Sequence, residues 1–174
     1  MRCFFSIEIP EKIKDEVIKS QREVKCDSKL VKKEQLHLTL LFLGEVEKEK
    51  IEALSEKLSQ FKFPSFEVQL KNAGVFPSEK NPRVFWIGVE SSEIKKLHDQ
   101  LKKTVNSLGI ETENREFKPH LTLGRLKEKC NLKKWVEQNT KTFGSFNADS
   151  FFLKQSVFDK NGVAYETLAK VNLK

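Results

Sequence analysis

One tetrapeptide occurs twice in the chain and restricts its fold more than any other feature. His-Leu-Thr-Leu stands at residues 37–40 and returns at residues 120–123, 120 − 37 = 83 positions later. In a β-strand, residues i and i+2 lie on one face, so each copy puts an imidazole beside a hydroxyl, with leucines on the opposite face. His37 and His120 are two of only three histidines in the chain. We therefore expect two strands whose polar faces meet in one site.

The sequence around the two copies repeats the same order of predicted elements. A shift of 83 positions brings predicted elements of the first half onto similar ones of the second: strand 2–9 onto 85–92, helix 12–24 onto 95–107, and strand 66–72 onto 149–155. Each half follows the order strand, helix, His-x-Thr strand, helix, strand, and a last strand follows the turn at Asn161-Gly162. This duplication predicts an α+β protein with two pseudo-symmetric lobes, each holding one motif. Because no linker separates the halves, we expect a single domain over residues 1–174.

Charge, cysteines and apolar segments limit the class of protein. The net charge of +7 permits an anionic partner such as RNA without identifying one. Cys3, Cys26 and Cys130 are far apart and include no Cys-x-x-Cys pair, so we expect reduced thiols. No segment is apolar enough to span a membrane, and the N-terminus alternates like a strand rather than a signal peptide. These observations predict a cytoplasmic protein without membrane contact.

The residue types of the two motifs suit acid–base chemistry at a phosphate. Histidine has an unperturbed pKa near 6.5, so one ring of a pair can accept a proton while the other donates one. Thr39 and Thr122 would each supply a hydroxyl donor to the same bound anion. In an in-line displacement, the attacking and the leaving oxygen lie on opposite sides of the phosphorus atom. Two histidines that face each other could each serve one of these oxygens. No metal-ligand pattern such as His-Glu-x-x-His and no Gly-rich phosphate loop occurs, so we expect neither a metal nor a cofactor.

Two further residues allow a functional and a structural interpretation. Arg125, five residues after His120, could neutralise a phosphate, because arginine binds phosphate bidentately and stays charged. Strict alternation would point Arg125 away from His120, unless Gly124 marks a bulge that redirects it; the alternative is a surface salt bridge. His98 borders the apolar stripe of a predicted helix, and we expect it to have a structural role.

Aromatic side chains in the predicted strands also allow two interpretations. They could stack on nucleobases, as in RNA-binding proteins, but most should lie in the core because of their position in strands. The residues concerned are Phe4, Phe42, Phe85, Trp86, Phe151, Phe152 and Tyr165.

Several motifs together resemble the two-histidine (2H) phosphoesterase superfamily, and within it the LigT-like RNA 2′,3′-cyclic phosphodiesterases, also called 2′-5′ RNA ligases. The likeness covers nearly the whole chain and follows the same order. It includes Met1-Arg2-x-Phe4, His37-Leu-Thr-Leu-Leu-Phe-Leu-Gly44, Trp86-Ile-Gly-Val89, Phe117-Lys-Pro-His-Leu-Thr-Leu-Gly-Arg125 and Gly162-x-x-Tyr165.

The resemblance implies a fold, an activity and residue roles. It implies two antiparallel-sheet lobes with helices outside and a central cleft, and metal-independent hydrolysis of RNA 2′,3′-cyclic phosphate ends to 2′-phosphates. It also implies reversible 2′-5′ ligation of tRNA halves. In that family the first motif histidine is the proton donor and the second the acceptor, which assigns the acid to His37 and the base to His120. We expect the protein to act as a monomer.

Two other functions remain open at the level of sequence. The first is a non-catalytic RNA-binding module that uses the same basic cleft, for which RNA binding would survive loss of both histidines. The second is hydrolysis of a cyclic phosphate on a free nucleotide rather than on RNA.

Overall fold

Nine strands and four helices alternate along the chain, and the computed structural model describes residues 1–174. The strands are β1 (Arg2–Glu8), β2 (Ser28–Leu30), β3 (His37–Glu45), β4 (Phe66–Phe76), β5 (Val84–Glu90), β6 (His120–Leu126), β7 (Thr142–Ala148), β8 (Ser150–Asp159) and β9 (Gly162–Asn172). The helices are α1 (Glu11–Arg22), α2 (Lys48–Ser59), α3 (Ile94–Asn106) and α4 (Lys133–Gln138), and a 3₁₀ turn covers Lys33–Gln35.

The strands form two antiparallel sheets, each of which contains one of the two motif strands. One sheet has four strands in the order β3-β1-β8-β9, and the other has five in the order β2-β6-β5-β4-β7. The strands β3 and β6 contact each other where the two sheets meet. The α+β class and the two antiparallel-sheet lobes predicted from sequence are confirmed.

The two sheets are not built from the two halves of the sequence. Strand β4 of the first half pairs with β5 of the second half, and strand β8 of the second half pairs with β1 of the first. Each half thus gives two strands to the sheet that holds the other half's motif: β2 and β4 join the β6 sheet, and β8 and β9 join the β3 sheet. This exchange explains why the sequence contains no linker, because neither sheet can be completed without both halves.

The helices are exchanged in the same way. Helix α1 of the first half packs on β6 and β7 of the five-stranded sheet, and α3 of the second half packs on β3 of the four-stranded sheet. The periodicity of α1 accounts for its packing, since Ile13, Val17 and Gln21 recur every four residues and are buried. Pro10 precedes α1, where its missing N–H costs no helical hydrogen bond. The buried apolar side chains of both lobes form one continuous core of 37 residues.

One strand and one covalent link were not predicted from the sequence. Strand β7 is an edge strand in which polar and small residues weaken the alternation, and it pairs with β4. Cys26 and Cys130 form a disulfide with 6.2 Å between their Cα atoms, although 104 residues separate them. The prediction of reduced thiols is therefore wrong for this pair, because the fold brings the start of β2 next to the end of β6. Cys3 is free and buried. The cytoplasmic location stays a prediction. Reduced cysteines no longer support it, because two of the three form a disulfide.

Candidate active site

The two motif histidines line one cleft between the sheets. His37 begins β3, His120 begins β6, and both side chains are half-buried. The cleft has a volume of ≈ 630 Å³. Its walls include all five residues predicted for the site: His37, Thr39, His120, Thr122 and Arg125. In both motifs the intervening leucines point the other way and are fully buried, as the alternation of a strand requires.

Both histidine rings are held in the same orientation by a backbone carbonyl two residues earlier. The Nδ1 atom of His37 lies 2.7 Å from the carbonyl oxygen of Gln35, and Nδ1 of His120 lies 2.7 Å from that of Lys118. A carbonyl oxygen can only accept, so Nδ1 must carry the proton in each ring. The Nε2 atom of each neutral ring is therefore left with a free lone pair. No sequence pattern indicated these carbonyl contacts, which depend on the turn before each strand.

Each histidine also packs against aromatic rings. The ring of His37 stacks on Phe4 at 5.1 Å between centroids and meets the edge of Tyr165 at 5.1 Å. The ring of His120 meets the edge of Phe76 at 4.9 Å. These contacts remove water from one side of each imidazole.

Burial lowers the pKa of both histidines in the free protein. Removal from water is the largest cause for His37, whose pKa falls to about 4; the Gln35 carbonyl opposes this change and the Lys154 charge adds to it. The pKa of His120 is lowered by burial first and then by the charges of Arg115 and Arg125, against the effect of the Lys118 carbonyl. Both rings are therefore neutral at pH 7 without a bound anion.

Arg125 reaches the cleft because of a β-bulge in β6. The register pairs Phe85 with Gly124 and Trp86 with Thr122, so Leu123 is an extra residue on β6. Leu123 and Gly124 both turn to the core, and Arg125 then faces the side of Thr122. Gly124, which the sequence marked as a possible bulge position, thus belongs to the bulge together with Leu123. Gly124 is needed for space, since a Cβ there would lie 2.5 Å from the Phe85 ring.

The same bulge occurs in β3 but directs a different side chain. The register pairs Phe5 with Leu41 and Ser6 with Thr39, which leaves Leu40 as the extra residue. Phe42 stands 83 positions before Arg125, lines the cleft and is 53% exposed. The two lobes therefore offer different chemistry at equivalent positions, an apolar ring on one and a guanidinium on the other. Of the other six aromatic candidates, Phe85 and Phe151 are fully buried in the core, whereas Phe4 and Tyr165 line the cleft. The expectation that most of these rings lie in the core is therefore only partly met.

His98 lies at the edge of the same cleft. It is 7% exposed, its ring stacks on Phe117 with 4.2 Å between centroids, and its Nδ1 lies 3.0 Å from Oδ1 of Asp99. Both contacts fit the structural role predicted for His98. That His98 and Phe117 line the cleft was missed, because their meeting depends on the irregular segment between α3 and β6.

None of the chain's helices combines the length and apolar character needed to cross a membrane. No group of three or more histidine, cysteine, aspartate or glutamate side chains is arranged to hold a metal ion.

Comparisons with known proteins show which family the chain belongs to. The LigT like Phosphoesterase family matches the chain twice, over residues 7–86 and 87–165. The RNA 2′,3′-cyclic phosphodiesterase of Methanocaldococcus jannaschii is 39% identical over an alignment that covers 97% of this chain and 98% of the relative. That of Archaeoglobus fulgidus is 35% identical and covers 97% of this chain and 98% of the relative.

Solved structures extend the agreement to the fold. E. coli LigT in complex with 3′-AMP superposes with a TM-score of 0.83 at 29% identity, over 99% of this chain and 97% of that one. The protein TT0787 of Thermus thermophilus superposes with a TM-score of 0.82 at 30% identity, over 99% and 97%. The chain therefore belongs to the LigT like phosphoesterase family.

Proposed function

We propose that the protein is an RNA 2′,3′-cyclic phosphodiesterase that opens the cyclic phosphate to a 2′-phosphate by two-histidine acid–base catalysis. The observation that carries the proposal is the pair of imidazoles whose Nδ1 atoms are bound to carbonyls, so that both Nε2 atoms serve one cleft. Relatives at 35–39% identity over almost the whole chain bear the same activity in their names. The chain would act as one domain, since its core and its cleft draw on both halves of the sequence.

The proposed reaction assigns a role to each group. Thr39, Thr122 and Arg125 bind the non-bridging phosphate oxygens. The Nε2 atom of His120 accepts a proton from water as the water oxygen bonds to phosphorus. The bond from phosphorus to the 3′ oxygen breaks, and protonated Nε2 of His37 gives its proton to that oxygen. The product keeps its phosphate on the 2′ oxygen, and no step requires a metal.

The same arrangement would support ligation when another nucleophile replaces water. A 5′ hydroxyl of a second RNA would attack the cyclic phosphate, His120 would take its proton, and the 3′ oxygen would leave as before. The product is a 2′-5′ bond, and tRNA halves are the proposed substrates. This reaction would compete with hydrolysis and would require the second RNA at high local concentration.

A cyclic-ended oligonucleotide assayed in EDTA tests the proposal. We expect turnover to a 2′-phosphate product, and a loss of about 10²–10⁴-fold in kcat for His37→Ala and for His120→Ala. His98→Phe, which keeps an aromatic ring on Phe117, serves as the matched control and should retain activity. Salt-dependent RNA binding without product, unchanged in both alanine variants, would instead identify a binding module. Faster turnover of a cyclic mononucleotide than of the oligonucleotide would point to a nucleotide substrate.

A further inference from the structure

A buried glutamine on α1 contacts the bulge that directs Arg125. Gln21 is 4% exposed, and its Nε2 atom donates two hydrogen bonds across the interface between α1 and the sheet. One goes to the carbonyl oxygen of Leu123 at 2.8 Å, and the other goes to that of Val31 at 2.8 Å. Both protons of the amide are therefore used. Leu123 lies on β6, the strand that carries Arg125, and Val31 directly follows β2, the strand paired with β6.

The acceptor in β6 is the extra residue of the bulge itself. The Leu123 carbonyl also accepts the backbone N–H of Val31 at 2.9 Å, so this oxygen already has a partner without Gln21. The second bond therefore does more than satisfy an orphaned acceptor, because it fixes the direction of the peptide unit two residues before Arg125. In a β-strand that direction decides which face the following side chains occupy.

The other half of the chain provides an internal comparison. The position equivalent to Gln21 is 21 + 83 = 104, which is a threonine. The hydroxyl of Thr104 donates to the carbonyl of Gln100 in its own helix at 2.9 Å, and it makes no bond to β3. The bulge in β3 directs Phe42 rather than a charged side chain. The polar contact from helix to bulge thus occurs on the side where the bulge must hold a guanidinium toward the cleft.

We propose that Gln21 is a positioning residue for the reaction: it holds the bulge at Leu123 and so directs Arg125 at the phosphate of the substrate. This inference rests on the proposed function, in which Arg125 binds the non-bridging oxygens. Gln21 itself does not touch substrate, because it lies in the core behind the sheet.

A double-mutant cycle separates positioning from simple stabilisation. Gln21→Met keeps the length of the side chain but removes both donors. In the wild-type background we expect it to lower kcat/KM for a cyclic-ended oligonucleotide by about 10- to 100-fold, the scale of a misplacement near 1 Å. In an Arg125→Ala background the same substitution should have no further effect, because its target is already absent. Equal losses in both backgrounds, or no loss in the wild-type background, would overturn the inference.

Two further variants control for folding. Ser20→Ala removes a neighbouring buried hydroxyl that has no hydrogen-bond partner, so it should leave kcat/KM unchanged. Gln21→Glu keeps the shape of the side chain but turns a donor toward two carbonyl oxygens into an acceptor, and it should reduce kcat/KM at least as much as Gln21→Met. Each variant is assayed below its own melting temperature. If Gln21→Met does not fold, Gln21→Glu replaces it in the double-mutant cycle with Arg125→Ala. An inactive wild-type protein would refute the proposed function together with the inference, whereas an active wild type with a silent Gln21 refutes the inference alone.

Discussion

The protonation state of His37 gives the sharpest test of the proposed mechanism. Burial lowers its pKa to about 4 in the free protein. At pH 7, which is three pH units higher, only about one molecule in 10³ carries a proton there, and protonation costs about 4 kcal/mol. Yet the proposed mechanism needs His37 as the acid. The bound phosphate must therefore supply this free energy, since a negative charge in the cleft favours the imidazolium.

We therefore expect kcat and kcat/KM to depend on pH in different ways. The ratio kcat/KM reports the free enzyme, in which His37 must be protonated and His120 neutral. Because the pKa of His37 is about 4 and that of His120 is also lowered, kcat/KM should reach its maximum on the acid side of neutrality. It should then fall about tenfold per pH unit between roughly pH 6.5 and 8. The kcat profile should stay level to higher pH, because the bound anion has raised the pKa of His37.

The assay needs a cyclic-ended oligonucleotide in EDTA, with kcat and KM measured separately at half-unit steps of pH. An NMR titration of the free protein supplies the histidine pKa values directly. Since the chain has three histidines, the His37→Gln variant is enough to identify the resonance of His37. Addition of the 2′-phosphorylated product should raise the pKa of His37, because the bound anion favours the imidazolium.

Two results would refute the reasoning. One is a free-protein titration of His37 near pH 6.5, which would mean that the Phe4 and Tyr165 rings do not exclude water. The other is a kcat/KM profile that stays flat from pH 6.5 to 8, which would mean that the acid is already protonated before substrate binds.

Further predictions concern stability and binding. Since burial lowers the pKa of folded His37 from 6.5 to about 4, the unfolded chain binds more protons between these values, so the free energy of unfolding should fall by about 3 kcal/mol as the pH drops from 6.5 to 4. Urea titrations should show a smaller fall for His37→Gln, and an identical fall would contradict the assignment. Thiol titration should find no reactive cysteine in the folded protein, because Cys3 is buried, one after unfolding, and three after unfolding with reductant. Replacement of Cys26 should lower the free energy of unfolding by at most about 4.7 kcal/mol without loss of activity. Phe42→Ala should raise KM for the oligonucleotide by about tenfold, because a nucleobase would lose its stacking partner. Phe158→Ala is the matched control, since Phe158 is exposed but lies outside the cleft, and its KM should not change. Equal effects of the two substitutions would exclude a specific contact with Phe42.

The sequence was sufficient for the parts of the site that depend on strand alternation. His37 and Thr39 share a face because of the two-residue period, and the same reasoning holds for His120 and Thr122. The hairpin of β8 and β9 followed from the Asn161-Gly162 turn, and the structure confirms it.

Features that depend on a single extra residue or on distant contacts were harder to predict. A bulge reverses every side chain that follows it, so the orientation of Arg125 needed the register of β6 against β5. The pairing of Cys26 with Cys130 depends on two loops that only the folded sheet brings together. The hydrophobic pattern also could not predict the exchange of β4 and β8 between the sheets. The pattern of a strand indicates which of its faces is buried but not which strand it pairs with.

The exchanged strands have a consequence for how the enzyme could be divided. The exposed loop at residues 78–81 connects β4 to β5, which are already paired with each other. A cut in this loop would give two fragments that share both sheets, and the disulfide would join them covalently. Such a nicked chain should stay together as a split protein with an intact cleft. Neither fragment alone would contain a complete sheet, so the site can assemble only when both fragments are present.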